Sequence, residues 1–268
     1  MKAAVKHSSL LILAMLLAGC GGDTGTEAAI ENTVTTQAAS ASTPTPRYED
    51  GLVRFDRMPG ESGYWANPSM HSLVEKGVNV PMDERGLLAN PDDATKVAPF
   101  MDWSVALYKY RQANGLRDDP VNACISPAGP RHLMDPKGFR MIHDRNFDRF
   151  YVLFGGGNRN WRHIELDGRP APDLDEVVGT YFGYSRGHWE DDTLVVESTG
   201  FNDRFWFSNG GLPHTPALKL TERFTRVDHD TLVYNVTVDD PRTYTRPWVA
   251  EWSLHWVEGD IEEQFCEQ

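Results

Sequence analysis

Three runs decide the fold class: Leu218-Lys219-Leu220-Thr221-Glu222-Arg223-Phe224, Leu232-Val233-Tyr234-Asn235-Val236-Thr237-Val238, and Trp248-Val249-Ala250-Glu251-Trp252-Ser253-Leu254-His255-Trp256. In each, apolar side chains recur at every second position, the period of a β-strand with one buried face. Asp228-His229-Asp230 and Asp239-Asp240-Pro241 lie between the runs, and such clusters turn the chain. Working back towards the N-terminus, residues 193–201 follow the turn-like Glu190-Asp191-Asp192. Residues 161–166 end at the hairpin signal Asp167-Gly168, and Phe150, Val152 and Phe154 alternate. Consecutive strands with short turns predict a mainly β fold, an antiparallel meander forming a barrel or half-barrel, lipocalin-like in outline. Closure is expected because open sheet edges must be hidden. A two-sheet sandwich is the alternative.

Ahead of the meander, Phe100, Trp103, Leu107 and Tyr110 recur at helical spacing after Pro99, and Asn114-Gly115 is a stop signal. One helix is therefore predicted near 99–113. Residues 51–58 read as a short strand, and 59–97 as irregular Gly/Pro-rich chain.

The start of the sequence is an address. Lys2 and Lys6 precede an apolar run from Leu10 to Leu17 and then Ala18-Gly19-Cys20, the parts of a secretory signal too short to span a membrane as a mature helix. Leu17-Ala18-Gly19-Cys20 resembles the lipobox of bacterial lipoproteins, which implies acylation of Cys20. Gly21 after the cysteine implies outer-membrane sorting, with the domain facing the periplasm. Three segments are expected: a signal peptide over 1–19, lipidated Cys20 with a disordered tether over 20–47, and one β-rich domain over 48–268. The tether is small, polar and Pro-rich, too poor in apolar surface to offset chain entropy, and would reach roughly 30 Å from the lipid. Cys124 and Cys266 then remain as an even pair in an oxidising compartment and are expected to form a disulfide.

The chain carries 39 acidic and 26 basic side chains, a formal charge of −13, without a Lys/Arg cluster. That composition cannot supply the footprint phosphate backbones require, so nucleic acid is not an expected partner. The membrane, through the lipid, and a small molecule are.

Several stretches resemble a large family of uncharacterised secreted bacterial proteins. They include Asp119-Pro120 with Cys124 and Pro130-Arg131, Asp167-Gly168-Arg169, Gly187-His188-Trp189-Glu190, Asp192-Thr193-Leu194-Val195-Val196, and Gly200-Phe201-Asn202-Asp203. The series continues with Pro213-His214-Thr215, Glu222-Arg223-Phe224, Asp239-Asp240-Pro241, Tyr244-Thr245, Pro247-Trp248 and Phe265-Cys266-Glu267. The likeness covers residues 95–268 and implies relatedness and secretion, not a reaction. Asp191 stands where the family usually has glycine.

Among constellations that carry chemistry, Gly183-Tyr184-Ser185-Arg186-Gly187 matches the serine-hydrolase elbow, with Asp203 and His214 following in order. Residues 188–201 read as turn and strand, however, so the helix that mechanism needs is missing. His163-x-Glu165 and His188-x-Glu190 place imidazole and carboxylate on one strand face, yet no Cys-x-x-Cys or His-Glu-x-x-His accompanies them. Gly155-Gly156-Gly157 lacks the Lys-Ser/Thr of a phosphate loop and reads as a hairpin connection. Neither a metal site nor a cofactor is expected. Trp248, Trp252 and Trp256 share one strand face, either as core or as a stacking wall for an aromatic or sugar-like ligand.

Glu222 shares a face with Leu218, Leu220 and Phe224, so the alternation points a carboxylate inward. It is either a raised-pKa acid/base group or the partner of an arginine such as Arg162. Asn202, Asp203 and His214 fall in the loop-rich stretch ahead of that strand. The leading expectation is a barrel binding a small organic ligand through Asn202, Arg162 and the tryptophan stripe. The alternative is an enzyme using Glu222 and His214, with Asp203, in lyase, isomerase or hydratase chemistry; a structural envelope role is a third.

Overall fold

The computed structural model describes residues 43–67, 73–157 and 160–266. The expected signal peptide, Cys20 and the expected tether up to residue 42 lie outside them. Among the described residues, nine strands close into a barrel in chain order. They are β1 (Tyr64–Ala66), β2 (Phe139–Asp144), β3 (Arg149–Phe154), β4 (Trp161–Glu165), β5 (Tyr184–Glu190), β6 (Thr193–Thr199), β7 (Lys219–Arg226), β8 (Thr231–Asp239) and β9 (Trp248–Val257). β1 pairs with β9 and completes the ring.

A ring with an odd number of strands cannot alternate direction all the way round. One junction has to be parallel, and it is β4–β5, registered through Glu165 and Arg186. The other junctions are antiparallel. The all-antiparallel meander is corrected here. Asp167-Gly168 turns the chain but makes no hairpin; residues 166–183 instead return along the barrel, and Thr180 pairs beside Phe201 before β5 begins. At this seam β4 and β5 approach closely. A Cβ on Gly187 would lie 2.7 Å from Leu166 and 2.9 Å from Ile164, so glycine fits where other residues would collide.

The predicted alternation holds along β6 to β9. Leu194 and Val196, Leu220 and Phe224, Tyr234 and Val236, Trp248 and Leu254 all face inward and are buried. Phe139, Phe150 and Phe154 from β2 and β3 fill the opposite side.

Each end of the barrel is plugged. At the end where β5, β7 and β9 begin, residues 73–138 and 200–218 pile up, carrying helices α1 (Asp102–Ala113) and α2 (Pro130–Leu133). α1 confirms the predicted helix but not its face. Trp103 and Tyr110 are exposed, and the helix docks through Ser104 and Tyr108. Polar anchors replace the expected apolar stripe: the Ser104 hydroxyl donates to the Thr243 carbonyl (2.7 Å), and the Gln112 amide donates to the Gly86 and Gly210 carbonyls (2.9 and 2.8 Å).

The other end is sealed by residues 43–58. The expected strand at 51–58 is reduced to a bridge between Arg47 and Val53, because Phe55 leaves the sheet direction to stack on Trp189 (5.7 Å) and meet Phe150. Arg226, buried there between the Trp65 and Trp256 rings, donates to the carbonyls of Arg54, Asp56, Asp228 and His229. Burial pulls its pKa down to about 10, a value at which it still carries its charge at neutral pH. The domain also begins before Tyr48: the His229 N–H donates to the Thr43 carbonyl, the Thr45 hydroxyl to the Arg226 carbonyl, and Arg47 pairs with Asp192.

Candidate functional site

Across the barrel interior runs one polar layer. Arg162, from β4, makes a two-pronged ion pair with Glu222 on β7, its Nη1 donating to Oε1 at 3.0 Å and its Nη2 to Oε2. Its Nε donates to Ser185 Oγ on β5 (3.0 Å) and Nη2 also to Ser198 Oγ on β6 (3.0 Å). The Tyr234 hydroxyl on β8 donates to Glu222 Oε1 at 2.8 Å. Burial pulls the Arg162 guanidinium down, but the Glu222 charge and hydrogen bonds outweigh it and hold the group above its ordinary value. Tyr234 is held well above the usual phenol range by burial and by the same carboxylate.

Of the two roles open to Glu222, the geometry realises the ion pair. Both oxygens accept hydrogen bonds from Arg162, with Tyr234 adding to one, and the side chain has no exposed surface. Ser185 is a member of the same layer, on a strand with no helix following, and the elbow pattern lacks the strand–turn–helix context the hydrolase mechanism requires.

His214 lies elsewhere, wedged against Phe205 (4.4 Å) and Phe207 (5.5 Å). Its Nε2 sits 3.0 Å from the Phe205 carbonyl, which fixes the proton on that nitrogen; Nδ1 is then a bare acceptor, buried without a partner. Burial first, opposed by Asp240, pushes its pKa down to about 4. Asp203 is exposed, and Asn202 caps the Arg204 N–H (3.0 Å). Glu222 and His214 therefore hold separate partners. The tryptophan stripe points inward as expected: Trp248 meets Tyr244, Trp252 meets Tyr234, and Trp256 meets Trp65. His163–Glu165 and His188–Glu190 form separate pairs, at 3.5 and 3.3 Å.

The cavity that the sequence did not reveal is at the rim. Cys124, Ile125, Ser126, Asn160, Trp161, Thr180, Tyr181 and Phe182 line an open cleft of about 620 Å³. One wall is pinned by the Cys124–Cys266 disulfide, as the cysteine count predicted. Another is stiffened by His132, which stacks on Phe154 (4.2 Å) and Phe182 (5.3 Å). Ser126 Oγ donates to the Gly157 carbonyl (2.9 Å), and the Asn160 amide donates to Ser126 Oγ. The signal for this wall is Gly155-Gly156-Gly157. A Cβ on Gly156 would strike the Asp135 carboxylate, and Gly157 has φ +69° with His132 Nε2 2.7 Å from where its Cβ would be. Behind the disulfide, a recess of about 180 Å³ meets Arg131, but that guanidinium is already committed to Asp119 (2.9 and 2.7 Å) and Asn209 (2.8 Å).

Replacing Glu222 by Gln leaves the buried Arg162 charge uncompensated. Stability should fall by about 3–5 kcal/mol in urea unfolding, the usual cost of removing one partner of a buried pair. A wild-type unfolding curve for Glu222→Gln would contradict the strut role.

Burial, with Arg131 adding, pushes the His132 pKa down to about 3. His132 and His214 are thus neutral in the fold but protonate near 6.5 when unfolded. Below that value the unfolded chain binds protons the folded chain refuses, so stability falls as pH drops from about 6.5 towards 4. His143, lowered by burial, acts in the same direction. His229, raised chiefly by its bond to Asp230, acts oppositely: its contribution is present below 6.5 and lost as pH rises through its folded pKa. The melting temperature should decline between pH 6.5 and 4.5, and His132→Phe, which keeps the ring stack, should flatten that decline. An equal slope in the variant would count against a neutral imidazole there.

Comparison with protein-family models, with curated proteins and with solved structures gives no match, so the site's own chemistry carries the functional reading.

Proposed function

We propose that this chain is a barrel-type binding protein that holds a neutral, ring-bearing small molecule in the rim cleft and is presented from the bacterial outer membrane by a lipid on Cys20. One observation carries the ligand class. Among the described residues, the cleft's walls are aromatic and apolar side chains with one amide, two aliphatic hydroxyls and the Tyr181 phenol. In a chain of net charge −13, such a lining favours a ligand bound by ring contact and neutral hydrogen bonds over an anion. A volume of about 620 Å³ also falls within the range of small-molecule sites, about 300–1,000 Å³. The acid/base alternative gains nothing from the placement of Glu222, His214 and Asp203, which share no common cavity among those described.

Native mass spectrometry of the protein purified from membranes should show an added neutral organic mass. Ile125→Trp, which fills the cleft, should abolish that adduct while leaving the melting temperature within a few degrees. Equal loading of wild type and variant would place the ligand elsewhere.

The anchor rests on the lipobox resemblance at Leu17-Ala18-Gly19-Cys20. Wild type should label with palmitate and partition into detergent, and Cys20→Ala should do neither. An unlabelled, water-soluble wild type would remove the anchor from the reading.

A further inference from the structure

A groove of about 420 Å³ runs between α1 and the chain that precedes it. That chain contributes Leu87, Leu88, Pro91 and Asp92. From α1 come Lys109, Gln112 and Ala113, whose i, i+3 and i+4 spacing puts them on one helix face. The rim cleft shares none of these residues. Hydrogen bonds fix the groove's shape. Gln112 accepts from the Leu88 N–H (2.9 Å) and donates to the Gly86 and Gly210 carbonyls. Residues 81–89 fold into a tight turn: the Asp83 N–H donates to the Leu87 carbonyl, the Gly86 N–H to the Asp83 carbonyl and the Ala89 N–H to the Pro81 carbonyl. Gly86, at φ +81°, lies so close to Gly210 that a Cβ would stand 2.5 Å from its nitrogen. Leu87 and Leu88 are therefore held half-buried on a fixed wall.

Two opposite charges line the groove, one from each side: Asp92 and Lys109. Both are exposed, and neither side chain has an ion pair or hydrogen bond among the described residues. Their surroundings differ in this respect, since the adjacent Asp93 takes Lys96 at 2.7 Å. We propose that the groove is a second binding site, for an apolar zwitterion of the amino-acid and short-peptide class. The ligand's carboxylate meets Lys109, its ammonium meets Asp92, and its side chains lie against Leu87, Leu88, Pro91 and Ala113. The proposal stands on different residues from the rim cleft and does not depend on that reading.

Charge complementarity selects this chemistry. An apolar anion would pair with Lys109 but bring its charge beside Asp92, and an apolar amine would do the reverse. A neutral apolar molecule would leave both groups unanswered. A ligand carrying both signs answers both. It must also be apolar, because Leu87, Leu88, Pro91 and Ala113 offer no side-chain donor or acceptor and the Gln112 amide is already committed. Exposed ion pairs contribute little each, so the charges choose the ligand while apolar contact holds it. The volume of about 420 Å³ lies within the range of small-molecule sites, about 300–1,000 Å³.

The test is a titration of the full mature protein in detergent, followed by ligand-observed NMR. The probes are leucine, dileucine and trileucine, each free, amidated, acetylated or capped at both ends, with diglycine as a zwitterion lacking apolar side chains. At least one of the three free compounds should bind, and the tightest sets the ligand's length. Capping either end of it should weaken binding about two- to fivefold, the worth of an exposed ion pair. Diglycine should bind at least about tenfold more weakly, having no apolar side chain to bury. Lys109→Met should weaken ligands with a free carboxylate by the same two- to fivefold and leave their amides unchanged. Asp92→Asn should do the same to ligands with a free ammonium and leave the acetylated forms unchanged, so the cycle assigns each charge its partner. Ala113→Trp, which fills the groove from an exposed helix position, should abolish binding, and all variants should melt within a few degrees of wild type.

Silence from all three free compounds, equal affinity for the doubly capped forms, or equal affinity for diglycine would overturn the proposal. So would a uniform loss in Lys109→Met or Asp92→Asn that ignores which end of the ligand is capped. Ile125→Trp separates this site from the rim cleft. Zwitterion binding that survives Ile125→Trp and is lost in Ala113→Trp belongs to the groove. The opposite pattern places it in the cleft and removes the second site.

Discussion

The structure depends on a matter of parity. Nine strands closed in chain order must contain a parallel junction, and that junction is short: β4 and β5 register through Glu165 and Arg186. Beside it, β7–β8 runs from Lys219–Asp239 to Arg226–Leu232. The β4–β5 junction shares with β1–β2 a ladder of a single registered pair, so side chains that cross it matter to how the ring is held. The Arg162–Glu222 layer crosses it from inside. Its guanidinium starts on β4, touches serines on β5 and β6, and ends on the β7 carboxylate, which a tyrosine on β8 also holds. Five consecutive strands are thus joined by side chains across a junction where the backbone ladder comes down to one registered pair. A buried pair of this kind gains little over a hydrophobic replacement of equal volume. What it supplies here is connection and register, since slipping β7 by one residue would turn Glu222 outward and leave Arg162 alone.

The same seam creates the cleft. Because β4 and β5 run in the same direction, both start at the same rim and no hairpin ties their first residues together. Asn160 and Trp161 stand on one side of the resulting gap, and Thr180, Tyr181 and Phe182, arriving from the return segment, stand on the other. The disulfide brings Cys124 to its edge, and the glycine run with His132 packs its floor. The site is a consequence of how the ring closes.

This explains what could be read from the sequence. The strands from Thr193 onward announce themselves through alternation and turn residues, which are local properties. The inward carboxylate of Glu222 and its arginine alternative follow from the same alternation. The cysteine pairing needed only a count and a compartment. The seam was hidden because Asp167-Gly168 is good turn chemistry whether or not the next strand is antiparallel, and only closure of the whole ring decides that. The helix face was misread for a related reason. Phe100, Trp103, Leu107 and Tyr110 make an acceptable apolar stripe, but the surface beneath α1 offers carbonyls of Gly86, Gly210, Gly211 and Thr243, and Ser104, Arg111 and Gln112 answer them. The cleft draws residues from three separated stretches whose meeting no local pattern encodes.

A lipocalin-like outline suggests a ligand inside the barrel, and here the interior argues against it. Phe224 and Tyr234 meet at 5.0 Å, Tyr234 and Trp252 at 4.5 Å, and the ion-pair layer lies among them. Admitting a ligand would require separating Arg162 from Glu222 and exposing two charges to an apolar guest, a cost of several kcal/mol before any contact is gained. The plugs add to it, since Phe55 and Arg226 seal one end and α1 with residues 200–218 covers the other. In the proposed reading, binding is displaced to the rim, where rings already face solvent on a scaffold that does not have to move. The side chain that crosses the seam and the ring that borders the cleft are neighbours on β4, with Arg162 pointing in and Trp161 pointing out.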